Sequence, residues 1–172
     1  MILITTVIPL ILLLGVSFFV TVLLHELGHA IPAIFMTTDD VNIYIGSLGD
    51  PDKCFHFFIG RIAVYCKYNP LLWYKGCCFA ADTYYLSLDQ RLLFTAGGPI
   101  ASVIGTILTW LLLSVTENQD FLRVLTGGIF VVSLLATLGS LIPLVRVRYT
   151  ASGQPVYNDG YEIFRILRAK FR

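Results

Sequence analysis

Three stretches of this chain carry no charged side chain: Met1 to Leu24, Leu92 to Thr116 and Val124 to Val145. A hydrocarbon core takes roughly 20 helical residues to cross, and each stretch is long enough. The predicted architecture is therefore an α-helical integral membrane protein, one domain over 1–172, with transmembrane helices at about 9–36, 90–115 and 122–145. Composition excludes the soluble alternative, because 56% hydrophobic and 13% charged residues cannot clothe a water-facing surface. No Lys or Arg precedes the first apolar run, and no small-residue cleavage site follows it in a suitable place. It is therefore expected to stay attached as a span rather than leave as a signal peptide.

Basic residues set the orientation, because cytoplasmic loops hold the excess of Lys and Arg. Of twelve, only Arg123 falls between the second and third spans. Lys53, Arg61, Lys67, Lys75 and Arg91 lie between the first two spans, and Arg146, Arg148, Arg165, Arg168, Lys170 and Arg172 lie in the tail. The expectation is a multi-pass protein, N-terminus outside and C-terminus cytoplasmic, in the plasma membrane of a bacterium. A formal charge of +1 points to no nucleic-acid partner. No feature of the sequence specifies an oligomer. Cys54, Cys66, Cys77 and Cys78 all fall on the predicted cytoplasmic side, where thiols stay reduced, and adjacent Cys77-Cys78 lacks the spacing of a zinc-binding pair.

Between the first two spans, residues 41–87 read as a β-rich insertion. Val41 to Ile45 and Arg61 to Tyr68 alternate as strands do, with Gly46, Gly49, Pro51 and Gly60 as punctuation. A small antiparallel sheet is expected over 41–68, then an irregular return over 69–82. After the third span, a polar loop at 146–158 leads to an amphipathic helix at about 160–171. That helix sets Ile163, Phe164, Leu167 and Phe171 against Glu162, Arg165, Arg168 and Arg172, a pattern suited to the membrane surface.

Within the first span stands His25-Glu26-Leu27-Gly28-His29. Four residues apart on a helix, the two histidines share a face and can grip one zinc ion, while Glu26 can serve a water on that metal as general base. Ionisable groups are costly at membrane depth, and three within one turn call for a compensating partner. Catalytic zinc usually takes three protein ligands. Glu117 and Asp120 belong to the predicted external loop, which leaves His56, Asp82, Asp89, Asp159 and Glu162 as candidates for the third. Pro32 cannot donate to the carbonyl of Gly28, and Gly28 lacks a side chain, so a bend and a close backbone approach are expected there.

Across nearly its whole length the chain resembles the site-2 protease family of intramembrane zinc metalloproteases. The family's His-Glu-x-x-His motif is similar to His25 through His29, and its Gly-Pro-x-x-Asn motif to Gly98-Pro99-Ile100-Ala101-Ser102. Its Asn-x-x-Pro segment followed by Asp-Gly resembles Ser140-Leu141-Ile142-Pro143 and then Asp159-Gly160. The resemblance implies one Zn(2+) held by His25, His29 and Asp159, with Glu26 catalytic and Gly98, Pro99, Ser102 and Ser140 at the cleft. It implies hydrolysis of membrane-spanning proteins or transmembrane peptides within the lipid bilayer, the substrate entering as an extended strand added to an edge of the 41–68 sheet. Gly97-Gly98-Pro99 also reads as a close-packing helix start, and Asn158-Asp159-Gly160 as a helix cap. Two departures stand out: Ser102 and Ser140 replace asparagines, and the gap from Pro143 to Asp159 is long. The alternatives are an impaired relative acting as a membrane binding or chaperone protein, and a metal-ion transporter.

Overall fold

The computed structural model describes residues 2–80, 85–116, 120–145 and 147–172, so Asp82, Glu117 and Arg146 lie outside the described residues. Its helices are α1 (Ile2–Met36), α2 (Leu88–Val115), α3 (Asp120–Leu141) and α4 (Asp159–Lys170). The first three are long and apolar enough to cross a membrane. The strands are β1 (Val41–Ile45), β2 (Cys54–Ile59), β3 (Ile62–Lys67), β4 (Gly76–Ala80), β5 (Arg148–Tyr149) and β6 (Pro155–Val156).

The candidate span within α1, Ile8–Met36, matches the expected 9–36, but the helix itself already begins at Ile2, with both Pro9 and Pro32 inside it. Proline is tolerated in apolar helices where neighbouring groups satisfy the freed carbonyl, so Pro9 marks no boundary. Counted back from Met36, His25 lies about 16 Å along the axis. Arg61 closes the other end, donating to the carbonyls of Ile34 at 3.2 Å and Thr37 at 3.1 Å, groups that a helix terminus leaves without partners. Helix α2 opens on a capping box, in which the Ser87 hydroxyl accepts from the Gln90 N–H at 3.3 Å and the Gln90 side chain from the Ser87 N–H at 2.9 Å. Helix α3 stops at Leu141 rather than 145, two residues before Pro143.

The helices cross where small residues allow it. A Cβ on Gly28 would strike the backbone of Gly97, and one on Gly97 would strike the backbone of Gly28, so α1 and α2 touch main chain to main chain. Thr106 ties α2 to α3 through Ser133 at 2.9 Å and Thr137 at 3.1 Å.

The sheet corrects the antiparallel expectation. Its order is β2-β3-β1-β4, with β1 parallel to β3 and the other pairs antiparallel. After β1 the chain crosses over through 46–53 instead of turning back as a hairpin. Gly46 and Gly49 take positive φ in that crossover, and buried Lys67 holds it through an ion pair with Asp50 at 2.7 Å. The Lys67 ammonium keeps the Asp50 carboxyl below its usual range. A fourth strand, β4, occupies part of the segment expected to be irregular. Val41, Ile43, Ile45, Ile62, Val64 and Cys66 form the sheet's buried side and join Ala30 and Ala33 of α1 in one core.

The insertion therefore lies along α1 and does not hang from its end. Gly76 abuts Val22 and Glu26, Trp73 meets the ring of Phe19 at 5.3 Å, and Pro70 reaches Gly15. From Gly15 to Met36 is about 30 Å of helix, the thickness of a hydrocarbon core.

Candidate metal centre

His25 and His29 project from one face of α1, as their spacing dictates, and their Nε2 atoms stand 3.2 Å apart. The third group comes from α4. Asp159 places Oδ2 at 3.0 Å from His25 Nε2 and Oδ1 at 3.6 Å from His29 Nε2. These three are the group of potential metal ligands found among the described residues.

The other sequence candidates sit elsewhere. His56 is exposed on outer strand β2, Asp89 pairs with Lys170, and Glu162 is clamped by Arg91 and Arg165 at 2.9 Å each. Asp120 opens α3, whose opposite end meets α4.

Asp159 reaches the centre because its neighbours do the docking. Asn158, not Asp159, is the N-cap of α4: its Oδ1 accepts from the Gly160 N–H at 3.0 Å while its Nδ2 donates to the Gly139 carbonyl at 2.7 Å. Gly160 lies against the carbonyls of Ser140 and Leu141 with no room for a Cβ. The end of α3 thus receives the start of α4, leaving the Asp159 carboxylate free in a first helical turn, where negative charge is favoured. Burial opposes its ionisation, but the hydrogen bond with His25 and the charges of His29, His25 and Arg148 outweigh that and hold it below the usual carboxylate range.

Each imidazole is also anchored from behind. His29 Nδ1 donates to the Phe94 carbonyl at 2.8 Å, which in a neutral ring leaves Nε2 as a bare acceptor facing the centre. His25 Nδ1 is held by the Ser102 hydroxyl at 2.8 Å. Such outer partners fix the tautomer and orientation of metal-binding histidines. If the three donors hold zinc, Ser102→Ala should weaken its affinity by about 10-fold. Competition with a chelator of known affinity measures this, and unchanged affinity would deny the anchoring role.

The donor set fits zinc. Ligand pairs on a tetrahedral ion with bonds near 2.0–2.1 Å stand roughly 3.3 Å apart, close to the 3.2 Å between the two Nε2 atoms and the 3.0 Å from His25 Nε2 to Asp159 Oδ2. Two imidazole nitrogens and an ionised carboxylate converging in one buried place are the kind of donor set that a cation compensates.

Glu26 is buried, at 5% exposure, and turned towards β4, where a Cβ on Gly76 would come within 2.5 Å of its Oε1. It lines the same cleft as the triad, a space of about 1150 Å³ between α1, β4 and the 144–158 segment. Residues 76 to 80 form one wall. The β5–β6 hairpin forms another and reaches across to the crossover that follows β1, where the Ala151 N–H donates to the Leu48 carbonyl at 3.0 Å.

The remaining cleft candidates divide. Ser140 lines the cleft, with its hydroxyl turned back to the Thr137 carbonyl at 3.0 Å. Gly98 is the floor under His29, since a Cβ there would overlap the imidazole Nε2. Pro99 is buried in α2 and lies against a separate small apolar pocket. Sequence reasoning missed the Phe94 carbonyl, Gly76 and Thr21, none of which has a side-chain type that advertises a role. Comparison of the chain with family models, with curated proteins and with solved structures gives no match.

Proposed function

We propose that this chain is a zinc-dependent endopeptidase of the site-2 protease type, hydrolysing peptide bonds of membrane-spanning substrates. The observation that carries the reading is the convergence of His25, His29 and Asp159 from two distant helices, with Glu26 beside them in one cleft. His25, His29 and Asp159 would hold the ion. In such a site zinc supplies Lewis acidity, making water nucleophilic near neutral pH and polarising a carbonyl.

The rest falls to the chain. Glu26 accepts a proton from the attacking water as its oxygen bonds to the scissile carbon, then delivers that proton to the nitrogen as the C–N bond breaks. Ser102 and Phe94 hold the imidazoles still, and α4 keeps the carboxylate in place. A helical substrate hides its carbonyls in its own hydrogen bonds, so the scissile segment must be extended. Among the described residues strand β4 ends the sheet order, and it lines the cleft, which makes it the edge suited to strand addition. The basic-residue bias supports an N-terminus outside and a cytoplasmic C-terminus.

Ser102 speaks against the impaired relative. Its hydroxyl serves His25, so serine here does a job in the centre and is no sign of decay. Protein purified in detergent should carry close to one zinc per chain and cleave a single-span substrate, with cleavage lost on chelation and regained with zinc. Metal-free protein by elemental analysis would defeat the proposal.

A further inference from the structure

Several hydroxyls within the apolar helices return their proton to their own backbone. Ser17 donates to Leu13 at 2.8 Å, Thr106 to Ser102 at 2.8 Å, Thr109 to Gly105 at 2.8 Å and Thr126 to Leu122 at 2.7 Å. Thr21 does not. Its residue is 3% exposed, and its Oγ1 is the buried side-chain polar atom left without a partner among the described residues. Thr21 lines the cleft and lies four residues before His25, so it extends the stripe of His25 and His29 by one helical turn.

The spacing gives that hydroxyl a partner. Strand β4 runs beside α1, from Val22 and Glu26 at Gly76 to the level of Val41 at Ala80. A peptide added to β4 would follow the same line. Carbonyls on one side of an extended strand recur every two residues, about 6.6–6.8 Å. Four residues of helix rise about 6 Å. A carbonyl at the metal centre thus sets the next one on its side level with Thr21.

We propose that Thr21 is a substrate-binding residue whose Oγ1–H donates to the backbone carbonyl two residues from the scissile bond. The inference rests on the endopeptidase reading and adds to it a contact with main chain, which accepts any side chain at that position. The orphaned proton is what the substrate satisfies.

The test uses full-length protein in detergent, with Glu26→Gln as background so that a synthetic single-span peptide binds without turnover. Thr21→Val keeps the shape and removes the donor, and should raise Kd about 10-fold, the worth of one good hydrogen bond. Thr21→Ser should bind within about twofold of the parent. Esters introduced one at a time along the peptide weaken single carbonyl acceptors. One position should cost affinity with Thr21 present and nothing in Thr21→Val. Without peptide, Thr21→Val should melt no lower than the parent, since it loses no internal hydrogen bond. Equal affinity of Thr21→Val and parent overturns the inference, as does equal loss in Thr21→Val and Thr21→Ser with lowered melting. If Thr21→Val weakens binding but protein with Glu26 intact leaves the peptide uncut, the endopeptidase reading fails and the anchoring contact stands. If the peptide is cut but Thr21→Val binds it as the parent does, the contact fails and the endopeptidase reading stands.

Discussion

Glu26→Gln is expected to cut turnover of a single-span substrate by about 10²–10⁴-fold, the usual worth of a general acid–base group, while zinc content stays near one per chain. Gln matches Glu in size and fits the same gap against Gly76, but it cannot take a proton from water. His29→Ala and Asp159→Ala should behave differently. Each removes one of three donors that face one another across 3.0 to 3.6 Å, so both metal and activity should fall together. The contrast separates the role of Glu26 from those of its neighbours, which a single inactive variant cannot do. Cleavage by Glu26→Gln at the parental rate would remove the proton carrier from the scheme. Retained zinc in both alanine variants would mean that the three donors are not the ligands.

That contrast could be designed from the primary structure, because the His-Glu-x-x-His spacing needs only a helix to bring its groups together. The third member of the triad was less legible. Five side chains stayed open to local reasoning, and what singles out Asp159 is tertiary: Asn158 and Gly160 dock on the last carbonyls of α3. The three long apolar helices were readable because absence of charge over 20 residues has few other meanings in a helix. Their ends were less so, since Pro9 and Pro32 are tolerated inside an apolar helix.

The sheet shows where local pattern stops informing. Alternation in Val41 to Ile45 announces a strand, but nothing local says that it pairs in parallel with Ile62 to Cys66. Strand β4, Gly76-Cys77-Cys78-Phe79-Ala80, has no β-branched residue at all and takes its form from pairing with β1. The two points at which the sequence differs from the motifs it resembles also gain a physical account. Ser102 anchors His25, and the long gap before Asp159 is taken up by a hairpin that walls the cleft and meets Leu48.

Gly97→Ala and Gly98→Ala should break this protein in two different ways, although the positions are adjacent. At Gly97 the added methyl would meet the backbone carbonyl of Gly28, and backbone on backbone has nowhere to give. The α1–α2 crossing must open, at a cost of about 3 kcal/mol, the upper end for overpacking, read as a lowered melting temperature in detergent. At Gly98 the atoms nearest the methyl all belong to the imidazole of His29, a side chain that can swing aside. Melting should change little, but the ring would leave the Phe94 carbonyl and the centre, so zinc stoichiometry should collapse. Gly139→Ala is the control, because a Cβ there meets nothing within 4 Å and alanine favours the helix by up to about 1 kcal/mol. The same outcome for Gly97→Ala and Gly98→Ala would show that the floor under His29 and the helix crossing are not separable, and normal zinc content in Gly98→Ala would show that His29 is not held where the metal needs it.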